Sequence, residues 1–328
     1  MRTILCFLSV LLFASLKPSL ASDFKIALVL DKGGKDDRSF NAAAYSGMLR
    51  ARDELKIQFK YVEATDDNAF ESFLRSFAQK NFDLIIAVGI SQADAVKKVA
   101  PKFPDKKFAI IDANIEALNV VSLLFEEHEG SFLMGAIASK MSKTATIGFI
   151  GGMDIPLIRR FEMGYIAGAK KVNPKITVKS NFIGVTGEAW NNPAKAKELA
   201  IAQYSAGADI IFAAAGASNG GLFDAAEEKK KLAIGVDSNQ NWIKPGFVLT
   251  SMLKRVDNAV FSTCQAVVQN KFVPGLKRFG LFNSGIDYSI DQHNESLLPK
   301  SVRDLANQLK AEIISGKISV PDFYLNKR

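Results

Sequence analysis

Eight short stretches of the chain are apolar almost throughout and rich in β-branched residues: IALVL (26–30), DLIIAVG (83–89), FAIID (108–112), VVSLLF (120–125), TIGFIGG (146–152), DIIFAAAG (209–216), LAIGVD (232–237) and FVLTSM (247–252). Between most of them lie segments with helical spacing of apolar positions, among them NAAAYSGMLRARDEL, AFESFLRSFAQK, RRFEMGYIAGAKKV and PAKAKELAIAQYSAGA. A strand that alternates apolar and polar residues has one wet face, whereas a strand without polar positions is covered on both. The pattern predicts an α/β fold of parallel sheets with helices on either side.

A faint repeat divides the chain. Residues 26–47 run strand, Gly-Gly loop, then Phe40, Tyr45 and Gly47; residues 147–168 run strand, Gly-Gly, then Phe161, Tyr165 and Gly168. With the strand count, this predicts two doubly wound, Rossmann-like lobes, a first crossover near Glu126–Gly130 and the FVLTSM strand as the return. In such a pair a ligand is expected where the carboxyl ends of both sheets face each other across a cleft.

Composition adds a leader. Within 328 residues, 48% hydrophobic and 23% charged, only the first 21 depart from globular usage. Arg2, the run ILCFLSVLLFASL, Pro18 and the ending S-L-A before Ser22 have the three parts of a secretory signal peptide cleaved near Ala21. Cys6 sits early in that run, a poor place for a lipid, so a periplasmic or secreted product without lipid anchor is expected. Cys264 then remains alone, and no intramolecular disulfide is possible. The formal charge of +8 falls to +6 without Arg2 and Lys17, and its spread along the chain argues against nucleic acid as a partner.

The chemistry at the strand ends favours binding. DKGGKDDRSFN follows the first strand, with Asp31, a Gly-Gly turn, Ser39 as a candidate helix cap, and Phe40 at the lip of a polar loop. Asp112 closes the third run, and GVTGEAWNNP sets Trp190 ahead of a helix start at Asn192-Pro193. Asp237 follows LAIGV, and Lys254 follows FVLTSM. Aromatic stacking on a flat ring is worth about 1–3 kcal/mol and a charged hydrogen bond to a hydroxyl about 1.5–3, so micromolar affinity is within reach.

Motifs for other chemistry are few. The chain has no Walker phosphate loop, G-x-G-x-x-G, H-E-x-x-H or C-x-x-C, and His128 and His293, read as surface residues, are its only histidines, so neither a metal nor a cofactor is expected. GASNG (216–220) matches the nucleophile elbow, and Ser218 with Asp237 or Asp257 and His293 would have hydrolase order. The pattern also arises wherever a glycine-rich turn opens a helix, and in that reading Ser218 is a helix cap or a ligand contact.

DKGGKDDRSFN, HEGSFLMGAIAS, IGFIGGMDIPLIRRFEMGYIAGAK, ADIIFAAAGASNGG, AIGVDSNQ, VLTSMLKRVDNAV and IISGKISVP resemble, in order and spacing, the basic membrane protein family of ABC-transporter substrate-binding proteins. The resemblance implies a type I periplasmic-binding-protein fold, with residues 22–125 and about 253–290 in one lobe and 126–252 and about 291–328 in the other. It implies a non-enzymatic receptor, monomeric by default, that closes on a purine nucleoside and delivers it to a permease. By motif, Phe40 and Trp190 would stack on the base, and Asp31, Asn41 and Asp112 would bind or shape its polar edge. Asp237 and Lys254 would take the ribose hydroxyls, Gly216 would bring backbone close, and Ser39 would join the contacts. DSNQ replaces the second aspartate that the family often carries after GVD, which leaves the sugar side open. A sugar, autoinducer-like or signalling receptor is the alternative within this fold.

Overall fold

A computed structural model describes residues 24–64 and 66–325. The expected signal peptide and Cys6 lie outside the described residues. The first half runs β1 (Lys25–Leu30), α1 (Phe40–Leu55), β2 (Gln58–Glu63), α2 (Ala69–Gln79), β3 (Leu84–Val88), α3 (Ala93–Val99), β4 (Lys107–Ile111), β5 (Val120–Phe125). The second runs α4 (Glu127–Met141), β6 (Thr146–Met153), α5 (Pro156–Val172), β7 (Thr177–Gly184), α6 (Pro193–Ser205), β8 (Ile210–Ala214), α7 (Asn219–Lys229), β9 (Leu232–Asp237), β10 (Val248–Lys254). After these come α8 (Val256–Val268), β11 (Gly275–Phe279), β12 (Ile286–Tyr288) and α9 (Lys300–Ile314).

The strands form two six-stranded sheets in the orders β2-β1-β3-β4-β5-β11 and β7-β6-β8-β9-β10-β12. All neighbours are parallel except β10 and β12. The orders match place for place, so β1 and β6, β4 and β9, and β5 and β10 are counterparts. Every one of the eight apolar runs is an inner strand, buried on both faces as its composition requires.

The chain crosses between sheets after β5, after β10 and after β11. Residues 286–288, expected with the first lobe, pair instead with β10 as the edge of the second sheet, which moves the last crossover to 280–285. Each lobe's first helix packs on the helix delivered by a crossover, α1 on α8 and α5 on α4. Gly135 and Gly168 let α4 and α5 touch backbone to backbone; a Cβ on either would overlap the Tyr165 or Phe132 carbonyl. Gly47, the first-lobe counterpart of Gly168 in the sequence repeat, does the same for α1 against Asp257. Among the described residues no helix is long and apolar enough to cross a membrane.

Candidate functional site

The carboxyl ends of both sheets open onto one cleft. Its empty space, mouth included, is about 580 Å³, within the range of pockets that enclose small molecules. Asp31, Phe40, Asn41, Asp112, Trp190, Gly216, Asp237 and Lys254 all line it, as do Asp37, Ile90, Leu157, Ile158 and Phe161.

On the first lobe, the turn after β1 is wired by carboxylates. Asp37 accepts the backbone N–H groups of Ser39, Asn41 and Ala42 at 2.8–2.9 Å, satisfying donors that the first turn of a helix leaves over. Asp37, and not the expected Ser39, therefore caps α1. Ser39 is fully buried behind the cleft wall and donates its hydroxyl to Asp237 Oδ2 of the other lobe at 2.6 Å. Asn41 is occupied by its own loop: Oδ1 accepts Asp31 N–H at 2.9 Å, and Nδ2 donates to Asp37 and to the Lys32 carbonyl. Gly89, at φ +108°, faces Asp31; a Cβ there would stand 2.5 Å from Asp31 Oδ2. Burial pushes the Asp31 carboxyl up to about 6 against the pull of the Lys32 N–H.

The second lobe supplies the apolar wall. Trp190 packs directly against Gly152 of β6, where any side chain would collide with its ring. Its loop is held by Ser218, whose Oγ donates to the Ala189 carbonyl at 2.8 Å and accepts Asn192 N–H at 2.7 Å. Asn192 caps α6 by accepting Lys195 N–H at 3.0 Å, as the Asn-Pro pair predicts. Ser218 thus makes no side-chain cap to α7 and is not a free hydroxyl, and among the described residues the side chain of His293 bonds Gln292 alone. Leu157, Ile158 and Phe161 complete the wall from the first turns of α5.

At the floor, two aspartates flank one lysine. Asp112 and Asp237 stand at the ends of counterpart strands, both in the left-handed region at φ 69° and 64°, which Asp tolerates better than most residues. Lys254 Nζ lies 2.6 Å from Asp112 Oδ2 and 3.0 Å from Glu127 Oε1, inside a box of Phe40, Phe125 and Phe161 rings 5.0–5.9 Å away. Desolvation works against the ammonium, but Asp112, Glu127 and Asp237 outweigh it and hold Lys254 above the ordinary lysine value. Burial raises Asp112, opposed by Lys254, and pushes Asp237 up to about 6. Asp112 Oδ1 is buried and has no hydrogen-bond partner among the described residues.

Beside the floor, Glu126, His128 and Asp322 come close enough to suggest a metal. Arg160 Nη2 fills that place, 2.8 Å from Glu126, 3.0 Å from Asp322 and 3.0 Å from His128 Nδ1. His128, expected at the surface, is buried; burial and the guanidinium lower its pKa and keep it neutral, with Nδ1 as acceptor. Sequence reading misses Asp37, which nothing in the acidic stretch KDDRS distinguishes from its neighbours, and Phe161, whose helical spacing reads as core. It also missed Glu127, which no motif marks; the only signal was its place at the crossover.

Polar contacts bridge the lobes at the cleft mouth as well as at its floor, where Lys254 meets Asp112. Besides Ser39 to Asp237, Ser238 Oγ donates to the Ser39 carbonyl at 2.9 Å, Gln240 Nε2 to the Arg38 carbonyl at 2.9 Å, and Lys32 reaches Glu188 at 3.3 Å. Such an arrangement encloses a solute between two hinged bodies.

Comparison with known proteins agrees. The profile of the PnrA-like ABC transporter substrate-binding proteins, the Bmp family, matches residues 24–323. The ABC transporter nucleoside-binding protein BmpA of Lactococcus lactis is 33% identical, covering 92% of this chain and 90% of its own. A protein of Pyrococcus abyssi named as an uncharacterized lipoprotein is 34% identical over 82% of this chain and 69% of its own, a name that partly conflicts with the expectation of a product without lipid anchor. Among solved structures, an ABC solute-binding protein of Aeropyrum pernix superposes with a TM-score of 0.83 at 28% identity, covering 91% of this chain and 94% of its own. Proteins of this kind bind solutes for a transporter outside the cytoplasm and are not enzymes. The chain belongs to the PnrA-like, or Bmp, family of ABC-transporter substrate-binding proteins.

Proposed function

We propose that the cleft captures a nucleoside, with Phe40 and Trp190 on the faces of the base and Asp112, Asp237 and Lys254 at the ribose, and that the closed complex delivers it to an ABC permease. The observation that carries the reading is Asp112 Oδ1, a buried acceptor without a hydrogen-bond partner among the described residues, beside an aromatic wall. Leaving such an acceptor unpaired costs about 1–3 kcal/mol or more, and a hydroxyl or N–H donor from a ligand removes that cost. The named nucleoside binder among the relatives points the same way.

The charges define what the cleft refuses. Four carboxylates line it against two lysines, and both lysines are already paired, Lys32 with Asp67 and Glu188, Lys254 with Asp112 and Glu127. Among the described residues that line the cleft a phosphate would meet carboxylates and no unpaired cation, which costs several kcal/mol at a buried site. Isothermal titration with inosine, adenosine and guanosine beside their 5′-monophosphates tests this. Binding of a nucleoside with loss of at least a hundredfold for its monophosphate, about 2.7 kcal/mol, is expected; equal binding of the two would rule the assignment out.

A further inference from the structure

Lys254 is not held by the cleft alone. It is 2% exposed, and its second partner, Glu127, is 1% exposed and does not line the cleft. Glu127 is the first residue of α4, two places after the last residue of β5, so it stands where the chain passes from one lobe to the other. Its Oε1 forms an ion pair with Lys254 at 3.0 Å, outside hydrogen-bond geometry, while its Oε2 accepts from Arg160 Nη1. That same Nη1 donates to the Phe125 carbonyl at 2.7 Å, and the rest of the guanidinium is taken by Asp322, Glu126 and His128. One line of charged contacts therefore runs from Asp112 through Lys254 and Glu127 to Arg160 at the crossover. Removing one member of such a buried set leaves its neighbours uncompensated.

We propose that Glu127 is a positioning residue for ligand binding: through Lys254 it fixes the ammonium on the cleft floor, and through Arg160 it ties that placement to the geometry of the first crossover. A lysine has three donors on a flexible stem. With Glu127 neutral, Asp112 and Asp237 are the carboxylates left to it, and an ammonium drawn fully onto them competes with the ligand donors that those aspartates would accept.

The effect on affinity rests on the nucleoside reading; the placement of Lys254 does not, and the experiment separates them. In protein labelled with [15N]lysine, the buried ammonium gives a slowly exchanging Nζ signal, assigned by its loss in Lys254→Met. Glu127→Gln is expected to shift or broaden that signal while the circular dichroism stays that of the wild type, and an unchanged signal overturns the proposal. Should Glu127→Gln fail to fold, Glu127→Asp, one methylene too short to span both cations, is read in the same way. Titration of inosine, adenosine and guanosine into wild type, both single variants and the double variant follows. Glu127→Gln is expected to weaken binding roughly tenfold and to add little in the Lys254→Met background, because the two act as one unit. Independent, additive losses also overturn the proposal, since a merely structural glutamate gives those. If wild type binds none of the three, the nucleoside reading falls and the lysine signal still decides whether Glu127 places Lys254.

Discussion

At the scale of single residues, the cleft separates side chains that face a ligand from those that hold other side chains. Phe40 is partly buried, with its ring over Lys254 at 5.0 Å. If it stacks on a base, Phe40→Ala weakens nucleoside binding by about 1–3 kcal/mol, roughly five- to 150-fold. Loss of thermal stability with unchanged affinity in calorimetry would make it core alone. Ser39, Asn41 and Ser218 all read as candidate ligand contacts from their loops, yet of the three only Asn41 lines the cleft and each spends its polar atoms on the protein. A sequence shows that a polar residue sits at a strand end; it does not show which of several near neighbours takes its hydrogen bond, and Asp37 outcompetes Ser39 for the helix start.

The raised carboxylates give a pH dependence whose sign follows from burial. Asp31 and Asp237, at about 6 when folded and near 4 when unfolded, bind protons more readily in the folded state. The unliganded protein is thus most favoured by these groups below about pH 4, loses that advantage as pH rises from about 4 to 6, and gains nothing further above, by up to about 3 kcal/mol for each group. Hydroxyl donors prefer an ionised acceptor, so binding tightens between pH 5 and 7 and expels protons there. Titrations at pH 5.5 in buffers of different ionisation enthalpy measure that release, which vanishes at pH 8; proton uptake at pH 5.5 would show that the ligand accepts from a protonated aspartate.

Among elements, the strands that sequence patterning finds and those it misses differ in one physical respect. QFKYVE, TVKSNFIG, GLKRF and IDY, absent from the apolar runs, form β2, β7, β11 and β12, the four outer edges of the two sheets. An edge is partly wet and carries charge against unwanted pairing, so its pattern is diluted. Because β12 is three residues long, the last crossover was placed late. The helix contacts were better marked, since the Gly47–Gly168 echo reflects two equivalent close approaches. Gly135→Ala, which drives a Cβ into the Tyr165 carbonyl, is expected to cost about 1–3 kcal/mol and to lower the melting temperature by several degrees. A melting temperature within a degree of wild type would mean that α4 and α5 separate freely.

On the scale of the whole molecule, two counterpart sheets contribute Asp112 and Asp237 from matching strand ends, and the crossover strands bring Lys254 between them. The lobes meet through Ser39, Ser238, Gln240 and Lys32 around a cleft that takes aromatic rings from both lobes and is acidic at its floor. Family membership explains the architecture and the solute-binding role; the identity of the solute rests on the cleft. Thermal unfolding of the purified protein with a panel of purine and pyrimidine nucleosides, free bases and pentoses tests that identity most directly. The account expects at least one purine nucleoside to raise the melting temperature, with calorimetry giving micromolar affinity or better, about 8 kcal/mol, and no pentose to do so. Stabilisation by a sugar and by no nucleoside would contradict it.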